Sequence, residues 1–260
     1  MFREILHLGP IHIYSYGFMQ FLAFLGAILL AVKRCKRYQV DKNVIFDLAF
    51  WILIAGILGA RFWYVIEHFD LYKNNPASIF YIWEGGLVIY GGLLLGFIAG
   101  WYYLNKHKLS FWTIADLVAP SITMGIFIGR IGCFLNGCCY GIPSEKLGIV
   151  FTDHSSCQLP PEAPVGTAVI PTQIYSSVSA LFLTLFLLLV DRRKNRHGQT
   201  FSWLLIFYSI HRLAIDFLRH YEGKAVILKF LTLSQTLSVV LLIAGLITLW
   251  VRTRKAPAEN

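Results

Sequence analysis

Arg61, Arg130 and Arg212 each interrupt a long apolar run in a chain that is 57% hydrophobic with a mean hydropathy of +0.61. An arginine near mid-bilayer costs about 2.5–3.5 kcal/mol on insertion scales, so intramembrane arginines face a bundle interior or a wet cavity and mark function. The guanidinium fork meets phosphate oxygens with two parallel hydrogen bonds and stays charged in a low dielectric. Three such residues in apolar segments point to a bound anion. In a membrane the ready phosphate is a phospholipid headgroup.

The elements that must hold these residues follow from composition. With 260 residues, 14% charged and 15% aromatic, the chain is not an ordinary soluble domain. Runs of roughly 20 apolar residues fall near 13–32, 44–66, 86–104, 111–135, 172–190, 200–218 and 231–251. They predict an all-α, polytopic transmembrane bundle of about seven helices, one integral membrane domain over 1–260. The segments 33–43, 105–108, 191–198 and 252–255 carry fourteen of the Lys and Arg residues, against six at the opposite ends. By the positive-inside rule those four segments are cytoplasmic, the N-terminus is outside and the C-terminus inside. The formal charge of +9 is then mostly topological, and no single basic face indicates nucleic acid. The first run follows Glu4 and meets Lys33–Arg37 in place of a small-residue cleavage site, which predicts a retained helix and no cleaved signal peptide. The long Gly- and Pro-rich connection 137–171 is expected outside, either capping the site or serving as a plain loop, and 256–260 is expected to be a disordered tail. Gly92, Gly96 and Gly100, or Gly125 and Gly129, are spaced for close helix approach.

Helices that alternate in direction bring certain residues to one depth. Arg61, Arg130 and Arg212 fall in the outer halves of outward-running helices, and Tyr16 and Tyr90 in the outer halves of inward-running ones. Arg212, Asp216 and Arg219 recur at i, i+4 and i+7, giving one helical face two positive charges around a carboxylate. The alternative is an internal Arg212–Asp216 salt bridge that only permits insertion, which leaves Arg61 and Arg130 unpaired; Glu84 lies close to the membrane edge. His211 is expected to face a different side.

A reaction is suggested by the segment Gly129-Arg130-Ile131-Gly132-Cys133-Phe134-Leu135-Asn136-Gly137-Cys138-Cys139-Tyr140-Gly141. It resembles the signature segment of the bacterial phosphatidylglycerol:prolipoprotein diacylglyceryl transferase family. Tyr16-Gly17, Gly59-Ala60-Arg61, Glu84-Gly85-Gly86 through Tyr90-Gly91-Gly92, Pro171-Thr172-Gln173-Ile174-Tyr175 and Arg212 through Arg219 follow in that family's order. The resemblance covers nearly the whole chain. It implies transfer of the diacylglyceryl group of phosphatidylglycerol to the lipobox cysteine of a preprolipoprotein signal peptide, forming a thioether and releasing glycerol 1-phosphate. It also implies a bacterial inner-membrane enzyme, working towards the outer leaflet on membrane lipid, and no cofactor.

By that resemblance Arg130 and Arg212 are the principal phosphate clamp, with Tyr90 and Asp216 also at the catalytic site. Arg61, Tyr16, Asn136, Gly141 and Arg219 are expected to help bind substrate, although an interfacial tyrosine such as Tyr16 can equally be an anchor. The chain departs from the family's pattern at four positions, two of them among these residues. Tyr90 stands where many members have histidine, and a phenol is a poor base near neutral pH. Asp216 stands where glutamate is usual, and on its shorter arm it is better suited to fixing an arginine than to acting as base. Cys133 and Cys138 stand in place of asparagine and glutamate, which resembles a Gly-Cys-Cys subgroup.

Cys133, Cys138, Cys139 and Cys157 all fall on the outer side, where disulfides are permitted. Cys157 with Cys138 or Cys139 is one possibility and small buried thiols are another; a cysteine carrying the diacylglyceryl group is a third. The Cys-x4-Cys-Cys spacing lacks two paired ligand motifs and His154 is the one histidine of the loop, so no metal site is expected. Two other functions fit the arginines or the thiols: an anionic-phospholipid transporter or flippase that cleaves nothing, and a membrane redox protein. Neither the inverted repeats and broken helices of the first nor paired histidines for the second are apparent.

Overall fold

The computed structural model describes residues 4–8, 11–73, 75–151, 166–193, 197–219, 226–228 and 231–254. Two short antiparallel strands, β1 (Glu4–Leu8) and β2 (Ile11–Tyr14), form a hairpin ahead of α1 (Ser15–Tyr38). Then follow α2 (Lys42–Glu67), the single turn α3 (Phe69–Tyr72), two 3₁₀ turns at Pro76–Phe80 and Ile82–Glu84, α4 (Ile89–Lys106) and α5 (Phe111–Asn136). The two-residue strands β3 (Ile149–Val150) and β4 (Ala168–Val169) pair before α6 (Thr172–Arg192) and α7 (Gln199–Asp216). A last hairpin, β5 (Val226–Leu228) with β6 (Leu231–Thr232), leads into α8 (Leu233–Arg254).

Among the described residues six helices, α1, α2, α5, α6, α7 and α8, are long and apolar enough to cross a membrane. The seventh expected span, 86–104, is the 18-residue α4, whose Tyr90, Tyr102, Tyr103, Asn105 and Lys106 lower its hydropathy. The helices leave Phe50, Leu58, Phe62, Phe97, Phe182 and Ile247 more than half exposed, as expected of side chains meant for lipid. Expectations on Cys157, His154 and 256–260 lie outside the described residues.

The chain divides into two compact units, one of Val32–Ile114 and one of Met1–Ala31 with Ala115–Asn260. In the first, α2 and α4 pack backbone against backbone. A Cβ built on Gly59 would lie 2.4 Å from the Gly91 carbonyl oxygen, one on Gly91 would lie 2.4 Å from that of Gly59, and one on Gly92 would lie 2.9 Å from that of Gly56. Only hydrogen side chains permit that approach. Tyr103 of α4 closes the pair by donating to Asp47 of α2 at 3.0 Å.

In the second unit the start of α1 packs on α5 through Gly125, Gly129 and Gly132, whose nearest neighbours are Ala23, Gln20 and Met19. Polar links replace water between the apolar helices. Thr184 of α6 donates to Thr123 of α5 at 2.7 Å, and Ser177 donates to the Phe127 carbonyl at 2.9 Å. Buried Asp116 of α5 accepts from the backbone N–H groups of Gly198 and Phe201, satisfying donors that the start of α7 would otherwise leave orphaned. Ala119, Leu183, Leu187 and Leu204 form the apolar core among α5, α6 and α7.

Candidate functional site

Arg130 lies one and a half turns before the end of α5 and Arg212 one turn before the end of α7. The fold brings them to the same small cavity, which Ile126, Ser176, Tyr208, His211 and Ile215 also line. His211 therefore does not face another side, as its neighbouring position on the helix predicts. The cavity borders both residues because α5, α6 and α7 meet around it.

Arg212 is oriented by α8. Its Nη2 donates to Ser234 Oγ at 3.0 Å and lies 3.5 Å from Asp216 Oδ1. Ser234 in turn donates to Asp216 Oδ1 at 2.6 Å, and Thr232 donates to Asp216 Oδ2 at 2.7 Å. The carboxylate is fully buried and both oxygens accept hydrogen bonds, so it is a fixed counter-charge. The first turn of α8 is itself fixed by a reciprocal cap. Gln235 N–H donates to Thr232 Oγ1 at 3.1 Å and Thr232 N–H to Gln235 Oε1 at 3.0 Å. The sequence Thr232-Leu233-Ser234-Gln235 is a capping box, a signal readable in the chain that marks Thr232 and Ser234 as residues at a helix start. Its N–H ends also favour a nearby carboxylate.

The end of α5 is a second fixed corner. Gly137 adopts φ +75°, its N–H reaches the Phe134 carbonyl at 3.1 Å, and the Cys138 N–H reaches the Cys133 carbonyl at 3.0 Å. This left-handed helix stop turns the chain back on itself. Beyond it Cys139 is also left-handed, at φ +65°. Buried Gln173 and Thr172 of α6 hold the turn by donating to the carbonyls of Cys138 and Cys139 at 2.7 and 2.8 Å. As a result the sulfurs of Cys133, Cys138 and Cys139 all lie within 4.8 Å of one another.

Gly141 continues this corner. Its N–H donates to the Ile170 carbonyl at 2.8 Å, the next N–H donates to Leu218 at 2.9 Å, and it bridges Arg219. An added Cβ would sit 2.4 Å from the Leu218 carbonyl oxygen, so Gly141 has a packing reason to be glycine and ties Arg219 to the end of α5. Asn136 is the last residue of α5, beside the thiols in sequence, and Tyr16 is the second residue of α1, in the same unit and half-exposed.

Arg61 and Tyr90 belong to the other unit. Arg61 is buried, and four of its five N–H donors meet main-chain carbonyls: Ile79 at 2.8 Å, Ser78 at 2.7 Å, Gly85 at 2.7 Å and Gly86 at 3.2 Å. The rings of Tyr64 and Tyr72 lie 5.8 and 5.4 Å from its guanidinium carbon. These contacts organise the turns ahead of α4 without neutralising the charge. Tyr90, the second residue of α4, is half-buried.

Comparison with known proteins gives one answer. A family model described as prolipoprotein diacylglyceryl transferase matches residues 3–251. The chain is 35% identical over 249 residues, covering 95% of itself and 94% of the relative, to the phosphatidylglycerol–prolipoprotein diacylglyceryl transferase 2 of Clostridium perfringens. It is 36% identical to the phosphatidylglycerol–prolipoprotein diacylglyceryl transferase of Clostridium tetani, covering 93% of the chain and 94% of the relative. Against the protein of that name from Halalkalibacterium halodurans the identity is 34%, over 99% of the chain and 89% of the relative.

Proposed function

The chain belongs to the prolipoprotein diacylglyceryl transferase family, and we propose that it moves the diacylglyceryl group of phosphatidylglycerol onto the lipobox cysteine of a prolipoprotein, releasing glycerol 1-phosphate. The observation that carries this reading is the shared cavity of Arg130 and Arg212 among apolar helices.

The acceptor thiol gives its proton to solvent, and its sulfur attacks the glyceryl carbon that bears the phosphate. A carbon–sulfur bond forms, the carbon–oxygen bond breaks, and its electron pair leaves on the phosphate oxygen. Two guanidinium groups, positioned before the reaction begins, stabilise the phosphate as it gains charge. Asp216, Thr232 and Ser234 hold Arg212 in place, so Asp216 acts through the arginine. Tyr16, Asn136 and Arg219 bind the headgroup or glycerol oxygens from the same unit, and Gly141 keeps Arg219 in register. Within its own unit Arg61 secures the segment before α4.

We read the distribution of Lys and Arg as an N-terminus outside and a C-terminus inside, with the ends of α5 and α7 towards the outer leaflet of a bacterial cytoplasmic membrane. The acceptor signal peptide, anchored in that membrane, presents its cysteine at the same depth.

The test uses purified protein in detergent with phosphatidylglycerol and a signal peptide bearing one lipobox cysteine. A diacylglyceryl mass gain on the peptide, matched by glycerol 1-phosphate release and lost in Arg130→Ala and Arg212→Ala variants, is expected. Lipid binding without either product, while an active relative works in the same assay, would overturn the reading in favour of a protein that binds or moves phospholipid.

A further inference from the structure

We infer that Cys133, Cys138 and Cys139 form a thiolate metal site that binds one zinc ion and leaves a coordination position open for the acceptor thiol. Three sulfurs within 4.8 Å of one another already approach a ligand set. Four-coordinate zinc with Zn–S of about 2.3 Å places its sulfurs about 3.8 Å apart, so a small contraction completes the site. Thiolates select soft ions such as zinc or cuprous copper over magnesium or calcium.

The placement comes from the backbone, and so does not depend on flexible side chains finding one another. The left-handed stop at Gly137 folds Cys138 over Cys133, leaving Cys138 Sγ 3.7 Å from the Cys133 carbonyl. Gln173 and Thr172, both buried, lock the carbonyls of the two following cysteines. The Cys-x4-Cys-Cys spacing argues against a metal only while the segment is read as a continuous helix or loop.

The site has an open side. Cys133 is buried, whereas Cys138 and Cys139 are half-exposed, and no further His, Cys, Asp or Glu among the described residues joins the group. Three thiolates and Zn²⁺ leave a fourth tetrahedral position, the arrangement of reactive zinc centres. Arg130 precedes Cys133 by three residues on α5, so the arginine cavity and the thiols lie along neighbouring faces of one helix.

The use made of that position rests on the transferase reading. On binding zinc the acceptor thiol gives its proton to solvent, as metal-bound thiols do. Its sulfur lone pair then forms the carbon–sulfur bond while the carbon–oxygen pair leaves with the phosphate. The product thioether is a weaker ligand and departs. Zinc thus supplies the thiolate without a side-chain base.

The full-length protein in detergent, reduced and stripped with a chelator, is titrated with Co²⁺ and then Zn²⁺ alone. One equivalent of Co²⁺ with a thiolate charge-transfer band, displaced by Zn²⁺ and lost in the C133S/C138S/C139S variant, is expected. Uptake by the wild type no greater than by that variant, or a cobalt spectrum without thiolate bands, overturns the site. Should the triple variant fail to insert, the wild-type cobalt spectrum alone decides. A lipobox peptide should change that spectrum, and its cysteine-to-serine counterpart should not; no change overturns the open position. Metal removal should slow transfer about a hundredfold, with recovery on adding Zn²⁺. Full transfer by stripped protein overturns the activation and leaves the transferase intact, whereas metal binding with no transfer in any form overturns the transferase reading and leaves the site.

Discussion

Ser234 donates its hydroxyl to Asp216 Oδ1 at 2.6 Å while accepting from Arg212 Nη2 at 3.0 Å, so the first turn of α8 joins the arginine to its counter-charge. If Asp216 acts by holding Arg212, an amide in its place keeps an acceptor for Ser234 and keeps much of the geometry. Asp216→Asn should therefore lose roughly tenfold in kcat/KM and Asp216→Ala about a hundredfold or more, the latter leaving the half-buried Thr232 and Ser234 hydroxyls without their acceptor. The pH–rate profile of Asp216→Asn should keep the wild-type shape. A lost acidic limb with near-total inactivity would instead make Asp216 the base.

Arg130 and Arg212 share one cavity, and each should contribute its fork as well as its charge. Lysine preserves charge but cannot give two parallel bonds to phosphate. Arg130→Lys and Arg212→Lys are each expected to reduce kcat/KM by about a hundredfold, mainly through kcat, because the phosphate gains charge in the transition state. The double variant should lose less than the sum of the two in free energy, since both bind one group. Single-turnover rates with phosphatidylglycerol measure this directly.

The spans and the arginine pair are legible in the sequence for physical reasons: apolar length marks a bilayer crossing, and charge within it is too costly to be idle. What the sequence hides comes from tertiary packing. Ser234 reaches Arg212 across 22 positions because α7 packs on α8, although the capping box at Thr232–Gln235 announces that helix start. His211 is misplaced by a helical wheel because three helices surround the cavity. The thiol cluster depends on two left-handed residues, Gly137 and Cys139, and the second is not a residue type that foretells such a turn. The pairing of Arg61 with carbonyls arises from irregular turns whose acceptors no periodicity predicts.

Arg61 should matter first for stability. Its removal leaves the carbonyls of Ser78, Ile79, Gly85 and Gly86 without their donor. These carbonyls lie in half-exposed turns where water can replace part of the lost donor, so Arg61→Ala should cost about 2–3 kcal/mol in total and lower the thermal midpoint in detergent by roughly 5–10 °C. Arg61→Lys should recover part of it. An unchanged midpoint with a raised KM for phosphatidylglycerol would assign Arg61 to the lipid itself.

Gly141 should tolerate no side chain. The neighbouring atom is the Leu218 carbonyl oxygen, 2.4 Å from a Cβ, and backbone cannot swing aside as a side-chain end can. Gly141→Ala should cost about 1–3 kcal/mol or more and, by shifting Arg219, lower activity as well. Thermal unfolding and the transfer assay, run together on this variant, separate the two effects; normal stability and activity would refute the packing account.

His211 supplies the last prediction. His211 lines the same cavity as Arg130 and Arg212, and under the proposed function its ring nitrogen hydrogen-bonds the headgroup oxygens. A hydrogen bond to a charged group is worth about 1.5–3 kcal/mol, or roughly 10- to 100-fold in kcat/KM. His211→Phe keeps the ring volume and should lose that factor; His211→Gln keeps a polar nitrogen and should lose less. Were His211 turned away from the cavity, both variants would match the wild type.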